Sequence, residues 1–354
     1  MTSGASSRET HGARKLMRVA FVTPEYVTEK SFSGGLANYV HRLSLSLIRL
    51  GHRPLVIVPS GNNESFVHDG VEVHRVREEG GVPWVGILSR LTFRRYYSAL
   101  FLLRRSWKLN NKVRELHRKE PISIVQYPHL SGVGIFRSRR IPSVVRLSSY
   151  TPLWKLHGEY DSMDPRVLRD QERLEERGMR MADAVFGPSR AVAAVVEKDL
   201  GKPVEVIESP FVMDTPIVDE TLYRELFQDK AYLLFVGRFT AAKGFIVIAD
   251  AIHDLLARHP QLFFAVVGRE LGGYRGALAM NHLWEKAGKF RGRVLFLGDI
   301  RHDLLYPVMR NARAVVIPSL VENFPNVCLE ALAHRCVVIG SRCTSFEQLL
   351  VDGV

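Results

Sequence analysis

The chain has few cysteines and no long apolar run. Its 354 residues include 3 cysteines, at positions 328, 336 and 343, and their number and spacing fit neither a disulfide framework nor a zinc site. So sparse a set of thiols favours a reducing compartment, and we expect a cytoplasmic protein. No segment approaches the roughly 18 uninterrupted apolar residues that a membrane-spanning helix requires.

The first residues lack the apolar core of a signal peptide. Residues 1–16 are polar and rich in Ser, Gly and Arg, and the first apolar run, Val19–Val22, is short enough to be a strand. We therefore predict a disordered tail over 1–16. The rest of the chain shows no internal repeat of fixed period and no low-complexity segment, which excludes solenoid and fibrous architectures.

Acidic residues are outnumbered by basic ones. Lys and Arg total 49 against 37 Asp and Glu, which leaves a net charge of +12. Much of the excess lies in the segment 90–118, the basic segment, where Arg and Lys alternate with Phe, Tyr and Trp. Such a helix is suited to an anionic membrane surface, but a core helix with a basic outer face has the same pattern. No nucleic-acid motif accompanies the charge, so we predict no nucleic-acid partner.

Short apolar runs alternate with amphipathic ones along the whole chain, and this predicts an α/β protein with parallel, doubly wound sheets. We predict one Rossmann-like domain over 17–210 and a second over 231–354, joined by a linker over 211–230. The predicted strands are Arg18–Thr23, Pro54–Pro59, Val71–Val76, Ile122–Gln126, Ser143–Leu147, Ala184–Gly187, Val204–Glu208, Tyr232–Gly237, Leu262–Gly268, Val294–Leu297, Ala314–Pro318 and Val337–Gly340. The predicted helices include Leu36–Leu50, Leu100–Lys119, Pro165–Met181, Arg190–Leu200, Phe245–His259, Leu304–Asn311 and Asn326–His334.

The most informative motif is a pair of glutamates near the C-terminal end. Glu322 and Glu330 are separated by seven residues, and the second lies on a predicted helix that follows a strand. A helix N-terminus after a strand is an anion site, because its free N–H groups and dipole converge on phosphate. Asn323 suits the N-cap and Pro325 the first helical position. Glu330 would then lie roughly 7–8 Å along the axis, a suitable depth for a ribose.

Two further elements complete a candidate site. Arg238 and Lys243 lie on one short loop after a strand, with four residues between them, and two such cations suit a pyrophosphate. Gly34 and Gly35 precede the first helix and permit close approach of the backbone to a ligand. Ligands of doubly wound sheets bind beyond the carboxyl ends of the strands, where all three elements lie. Together they predict a nucleotide-diphosphate ligand in a cleft between two domains.

At these positions the chain resembles a known family, the retaining nucleotide-sugar glycosyltransferases of the GT-B fold, family four (the group 1 transferases). The resemblance is carried by SGGLANYVHRLSLSLIRLGHRPLVIVP, by LLFVGRFTAAKGF and by VIPSLVENFPNVCLEALA. It extends from about Arg18 to the last residue. It implies transfer of a sugar from a nucleotide-sugar donor to an acceptor hydroxyl, with retention at the anomeric carbon.

The resemblance also implies roles for particular residues. Arg238 and Lys243 would neutralise the leaving diphosphate, and Glu322 would bind the donor sugar, so these three are the predicted catalytic residues. The predicted donor-binding residues are Gly34, Gly35, Ser148, Gly268, Ile300, Asn323, Phe324, Pro325, Asn326 and Glu330. No cofactor and no metal ion are expected, since the cations and the helix terminus supply positive charge and the sequence has no Asp-x-Asp motif.

Three features depart from the family pattern. Ser148 stands where many members have a His that contacts the donor sugar, and a hydroxyl cannot replace the imidazole in every role. Asn323 stands where many members have Gly. The sequence ends at LLVDGV, where members continue with helices that return to the first domain. We therefore expect an incomplete second domain with an exposed apolar edge.

The resemblance suggests polysaccharide or glycolipid biosynthesis, with a glycan or a lipid-linked saccharide as acceptor. If the basic segment binds an anionic membrane surface, the protein would be peripheral on the inner face of the membrane. A non-catalytic nucleotide-sugar-binding subunit or pseudo-enzyme is the main alternative, because of Ser148. An epimerase of the same fold is a further alternative that the glutamate pair disfavours.

Overall fold

The computed structural model describes residues 16–29, 35–78, 96–211, 218–269, 279–342 and 344–353. The strands of the first sheet are β1 (Arg18–Val22), β2 (Arg53–Ser60), β3 (Glu64–His68), β4 (Val71–Arg77), β5 (Ile124–Pro128), β6 (Ser143–Arg146), β7 (Ala184–Gly187) and β8 (Val204–Val206). Those of the second are β9 (Ala231–Val236), β10 (Leu262–Val267), β11 (Val294–Gly298), β12 (Ala314–Ile317) and β13 (Val338–Gly340).

The described helices connect these strands. In chain order they are α1 (Gly35–Arg49), α2 (Tyr97–Lys119), α3 (Thr151–Lys155), α4 (Pro165–Met181), α5 (Arg190–Leu200), α6 (Thr221–Leu226), α7 (Phe245–Arg258), α8 (Ala279–Ala287), α9 (His302–Arg310) and α10 (Asn326–Ala333). Short 3-10 turns occur at Leu130–Gly132, Gly288–Arg293 and Ser345–Gln348. None of the helices in the described ranges is both long and apolar enough to cross a lipid bilayer.

Each sheet has one switch point, a place where the direction in which the chain adds strands to the sheet reverses. The first sheet has the order β3-β4-β2-β1-β5-β6-β7-β8, and the second β11-β10-β9-β12-β13. The chain winds outward in both directions from β1 and β5, and likewise from β9 and β12. A crevice forms beyond the carboxyl ends of such strand pairs. The loops after β5, β9 and β12 are therefore the places to look for ligand-binding residues.

Both predicted sheets are present, and the fold class is confirmed. Three helices begin where their sequences predict, at Pro165, Arg190 and Phe245. Asp164 and Ser189 explain two of these starts, because each side chain accepts a hydrogen bond from a first-turn N–H. Other predicted bounds differ from the observed ones by at most three residues.

Some elements were not predicted. Strand β3 pairs antiparallel with β4 at the edge of the first sheet; it is short and mostly polar, so it lacks the apolar run of its neighbours. Helix α6 lies inside the predicted linker 211–230. It is followed by Phe227, which is fully buried against Tyr232 of the second domain, with ring centroids 4.5 Å apart. The apolar Phe227 draws the end of this segment into the second core.

The basic segment contributes α2, and residues 90–95 of it lie outside the described residues. One face of α2 is buried against the first sheet through Leu100, Leu109, Val113 and Leu116. On its outer side, Arg104 and Lys108 donate to the Glu78 main-chain oxygen and Arg105 pairs with the Glu78 carboxylate. The core-helix interpretation accounts for these contacts.

Strand β13 forms one edge of the second sheet. Ile339 on this strand and Val337 just before it are 51% and 64% exposed. Because β13 ends the strand order of the second sheet, these two exposed apolar side chains lie at its edge. The two domains also share apolar contacts, because Ala242 and Val321 of the second domain belong to the same core cluster as β5 and β6 of the first.

Candidate active site

Lys243 and Glu322 meet at the second switch point. Lys243 lies on the loop after β9, and its Nζ is 2.5 Å from Glu322 Oε1 on the loop after β12. The Ser319 hydroxyl donates to the same oxygen at 2.9 Å. Glu322 is buried, and among the described residues both of these bonds go to Oε1 and none to Oε2. The structure thus brings two of the three predicted catalytic residues into direct contact.

Gly244 makes this contact possible. Its φ is +71°, and a Cβ built on it would lie 1.8 Å from the Pro318 carbonyl oxygen. The loops are also tied by a main-chain hydrogen bond of 2.8 Å from Leu320 N–H to Ala242 O. No side chain larger than hydrogen fits at position 244, so the sequence Lys243–Gly244 lets the lysine reach the glutamate loop.

Asn323 was predicted as the N-cap of α10, and that prediction is wrong. The N-cap is Pro325, which was predicted one position later in the helix, and no side chain caps this end. The Asn323 amide instead donates to the Leu147 main-chain oxygen of the first domain at 2.8 Å. The helix begins at Asn326, so Asn323 lies two residues before the N-cap, and its amide oxygen, the atom that a cap would use, has no partner among the described residues. The first-turn N–H groups of α10, including that of Asn326, therefore remain without a capping side chain.

Glu330 lies on α10 and is buried. Its Oε1 is 3.6 Å from Arg42 Nη2 on α1 of the first domain. Burial raises the pKa of the Glu330 carboxyl, and the nearby His302 and Arg42 oppose that shift. Arg42 also lies over the ring of Phe211, 5.3 Å from its centroid. A buried carboxylate with one distant cation is well placed to accept hydrogen bonds from ligand hydroxyls.

Arg238, the third predicted catalytic residue, is not in this cluster of contacts but faces the first domain. Its Nη2 is 2.7 Å from Oε1 of Glu159, whose side chain is only 9% exposed. The other oxygen of Glu159 is buried without a partner among the described residues. The Arg238 side chain as a whole remains 43% exposed.

Ser148 follows β6 and contacts an imidazole. Its N–H donates to Nδ1 of His129 at 3.2 Å, so the proton of the neutral ring is on Nε2. His129 is buried, and its Nε2 has no partner among the described residues. Burial lowers the pKa of His129 to about 3, and the Arg146 charge adds to this effect. The ring is therefore a neutral hydrogen-bond donor at the carboxyl end of β5.

The other predicted donor-binding residues are distributed around the cleft. Gly268 ends β10 with φ +140°, and a Cβ there would lie 1.9 Å from the Gly237 oxygen, so it permits two strand ends to approach. Ile300 packs against the second core. Phe324 lies between Asn323 and the first turn of α10. Gly35 begins α1, while Gly34 lies outside the described residues.

The sequence did not predict a place at the site for four residues, Arg42, Glu159, His129 and Arg146. Each lies there because of contacts between segments that are distant in the sequence. Arg146 had a local signal, since a charge at the end of the apolar strand SVVR is unusual. For metals, the described residues bring together His41, His68 and Asp69, with Asp69 Oδ2 within 3.5 Å of both rings. That group includes none of the predicted site residues.

Comparison with known sequences places this geometry in a family. Residues 33–211 match the family model described as Glycosyltransferase Family 4, and residues 230–354 match the one described as Glycosyl transferases group 1. The chain belongs to glycosyltransferase family 4. The two parallel Rossmann-like sheets are those of its GT-B fold.

Curated relatives of this family 4 chain include transferases from distant organisms. An uncharacterized glycosyltransferase of Methanocaldococcus jannaschii is 26% identical over 355 residues, which is 96% of this chain and 84% of the relative. A subunit of the phosphatidylinositol N-acetylglucosaminyltransferase of Arabidopsis thaliana is 22% identical over 322 residues, which is 90% of this chain and 66% of the relative.

Solved structures share the fold. Sucrose-phosphate synthase from Thermosynechococcus elongatus superposes with a TM-score of 0.71 at 19% identity, over 95% of this chain and 84% of that one. The Anabaena protein HepE, in complex with UDP-glucose, gives a TM-score of 0.64 at 19% identity, over 96% of this chain and 84% of that one.

Proposed function

We propose that this family 4 glycosyltransferase moves a sugar from a nucleoside diphosphate sugar to an acceptor hydroxyl, with retention of anomeric configuration and without a metal ion. The observation that carries the proposal is the contact of Lys243 with Glu322 beside the uncapped N-terminus of α10. It joins a cation, free N–H groups and a sugar-binding carboxylate at one switch point. The HepE complex with UDP-glucose supports the same ligand class.

Each residue has a distinct task in this proposal. Arg238, Lys243 and the first-turn N–H groups of α10 stabilise the negative charge that develops on the leaving diphosphate. Glu322 Oε2 accepts hydrogen bonds from the donor sugar, and Glu330 accepts them from the ribose. Positive charge at the leaving group thus comes from the chain itself.

Donor binding is the first experiment. Thermal shift is measured with UDP-, GDP- and ADP-sugars on the wild type, Arg238→Ala, Glu330→Ala and the control Arg224→Ala. Arg224 is a surface arginine that pairs with Glu220 on α6. A donor at a hundred times its Kd stabilises the fold by about 2.7 kcal/mol, so one nucleotide class should raise the melting temperature of the wild type and the control by several degrees.

The two site variants should lose most of that shift. If no donor class shifts the wild type, the proposal of a nucleotide-sugar site fails. A shift without transfer or donor hydrolysis would instead favour the non-catalytic binding subunit, which the serine at position 148 makes a specific alternative. Anomeric configuration is read by NMR of the released or transferred sugar, and inversion would contradict the proposed mechanism.

The acceptor is proposed to be a glycan or a lipid-linked saccharide. The support is the name of the Arabidopsis relative, which refers to a phosphatidylinositol N-acetylglucosaminyltransferase, and the basic segment 90–118. On this proposal the protein is cytoplasmic and peripheral at the inner face of the membrane. Flotation with anionic liposomes compares wild type with Arg94→Glu/Arg95→Glu and with Arg139→Glu/Arg140→Glu. The second pair lies outside the segment but changes the charge equally. If liposome binding falls equally in both variants, or in neither, the basic segment is not a specific membrane-binding surface.

A further inference from the structure

Arg146, the last residue of β6, is a buried cation with uncharged partners. Its Nη2 donates to the Ser209 hydroxyl at 2.8 Å and its Nη1 to the Ser148 hydroxyl at 3.3 Å. The guanidinium carbon lies 3.6 Å from the centroid of the Tyr39 ring. The side-chain Nε is buried and has no partner in the part of the chain that the structure describes. No carboxylate among the described residues pairs with Arg146.

The groups around Arg146 do not neutralise it. Burial raises the pKa of the Tyr39 hydroxyl, so the phenol stays neutral at ordinary pH. His129 is neutral as well, and the Glu208 carboxylate beside Ser209 accepts from Gln348 instead. A buried charge without a counter-ion is costly, and such charges in proteins are normally paired. The positive charge is therefore free to pair with an anion supplied by a ligand.

The position of Arg146 connects it to the cleft. The next residue, Leu147, is the one whose carbonyl oxygen accepts the Asn323 amide, so Arg146 lies within one residue of the contact with the glutamate loop. Ser209 belongs to the segment that leads from β8 towards the second domain, and Phe211 of that segment contacts Arg42, the partner of Glu330. The cation is thus built into the first domain's wall, next to the proposed donor site.

We propose that Arg146, with the hydroxyls of Ser148 and Ser209, is a subsite for a carboxylate or phosphate group of a substrate. The inference rests on the proposed function, which assigns the donor diphosphate to Arg238 and Lys243 on the second domain. The anion at Arg146 is therefore a second one, carried by the transferred sugar or by the acceptor. Guanidinium groups suit it because their planar N–H donors bind carboxylate and phosphate in a bidentate way.

The test compares paired ligands that differ by one anionic group. UDP-glucuronate and UDP-glucose are titrated calorimetrically into wild type, Arg146→Met and Arg114→Met. Inorganic phosphate is titrated into the same proteins, with and without saturating UDP. Arg114 is the matched control, a half-buried arginine of the first domain whose partners are the Phe136 carbonyl oxygen and the Asn111 side chain.

In one supporting outcome, wild type and Arg114→Met bind UDP-glucuronate more tightly than UDP-glucose, and the ratio of these two affinities is roughly 10- to 100-fold smaller in Arg146→Met. The anion then belongs to the sugar. In the other, the two donors bind alike but phosphate binds UDP-saturated wild type and not Arg146→Met, and the anion belongs to the acceptor. UDP affinity stays the same in all three proteins in both cases.

Three results would overturn the subsite. They are equal binding of every anion by wild type and Arg146→Met, loss of UDP itself from Arg146→Met, or a phosphate affinity that Arg114→Met weakens equally. If wild type binds no UDP compound, the GDP- and ADP-sugars of the donor screen decide the proposed function, and phosphate without nucleotide still tests Arg146. Should Arg146→Met fail to fold, Ser148→Ala/Ser209→Ala takes its place, with a weaker anion affinity expected and unchanged affinity contradicting the proposal.

Discussion

The Asn323 side chain of the second domain donates its amide N–H to the carbonyl oxygen of Leu147 in the first domain, at 2.8 Å. The amide oxygen of the same residue is buried and has no partner among the described residues. One half of the amide therefore joins the domains, and the other half is a buried acceptor directly after Glu322 in the chain. A single side chain couples domain contact to the proposed donor site.

Substitution of Asn323 should separate these two contributions. Asn323→Ala removes both, and we expect transfer activity to fall by about tenfold, the cost of one buried hydrogen bond. Asn323→Asp should be worse, because a carboxylate faces the Leu147 carbonyl and the donor phosphates. Steady-state kinetics and thermal melts of both variants check the order. An aspartate variant as active as wild type would show that the amide N–H is not needed.

Gly244→Ala should destabilise the protein and misplace Lys243. The new methyl group would clash with the Pro318 carbonyl, and the alanine would be held at a positive φ. We expect the free energy of unfolding to fall by on the order of 2–4 kcal/mol. Gly201→Ala is the matched control, since Gly201 has φ +61° at the end of α5 but nothing within 4 Å of the place where a Cβ would lie. Gly201→Ala should lower the free energy of unfolding by only about 1 kcal/mol. Equal losses in urea unfolding would mean that backbone strain, and not the clash, governs both sites.

His129 should make the protein less stable in acid. Its pKa is lowered to about 3 by burial, whereas in the unfolded chain it is near the ordinary value of about 6.5. Its contribution to stability is therefore complete above about 6.5 and is lost as the pH falls from there towards 3, at a rate of at most about 1.4 kcal/mol per pH unit.

His129→Asn retains an acceptor for the Ser148 N–H but does not titrate in this range. The melting temperature of the variant should fall less than that of the wild type between pH 7 and pH 4. Other groups titrate identically in both proteins, so the difference isolates the histidine. Parallel curves would show that the pKa of His129 is the same in the folded protein and in the unfolded chain.

Lys243 and Glu322 should differ in the part of the donor that they bind. Lys243→Met should weaken UDP and UDP-glucose alike, by roughly tenfold or more, because a charge-assisted bond to phosphate is lost. Glu322→Gln should lower the affinity for UDP-glucose relative to the affinity for UDP, since the carboxylate serves the sugar. Calorimetric titration of both ligands with both variants checks this. The reverse pattern would exchange the two assignments.

Chelation should leave the reaction unaffected. The proposed leaving-group stabilisers are Arg238, Lys243 and the N-terminus of α10, so no divalent ion is required. Transfer measured after dialysis against EDTA should equal transfer before it, and added magnesium should not raise the rate. A rate that depends on restored metal would contradict the proposed metal independence.

Much of the fold could be predicted from the sequence because local patterns govern it. The apolar runs of β1, β9 and β12 and the caps Asp164 and Ser189 are signals within a few residues, and they determine where elements begin. The short edge strand β3 and helix α6 could not be predicted in this way. Their sequences are polar, and packing against β4 and the second core stabilises them.

The candidate site was predictable on the second domain and not on the first. Lys243, Gly244, Glu322 and Glu330 lie in two compact motifs, and the parallel arrangement of β9 and β12 brings them together. The partners Glu159 and Arg42 come from the other domain, so no spacing in the sequence reveals them. The Asn323 cap was wrong because the helix begins at Asn326, two residues later than that cap requires.

Three of the charges proposed to bind the donor lie beside an opposite charge of the chain, Arg238 beside Glu159, Lys243 beside Glu322 and Glu330 beside Arg42. Donor entry is then an exchange of partners, and the resting ion pairs act as built-in competitors of the substrate. We expect them to limit ground-state affinity while hastening the departure of the spent nucleotide, since three carboxylate–cation pairs re-form as it leaves. A cleft of this kind binds its donor less tightly and releases the nucleotide product faster.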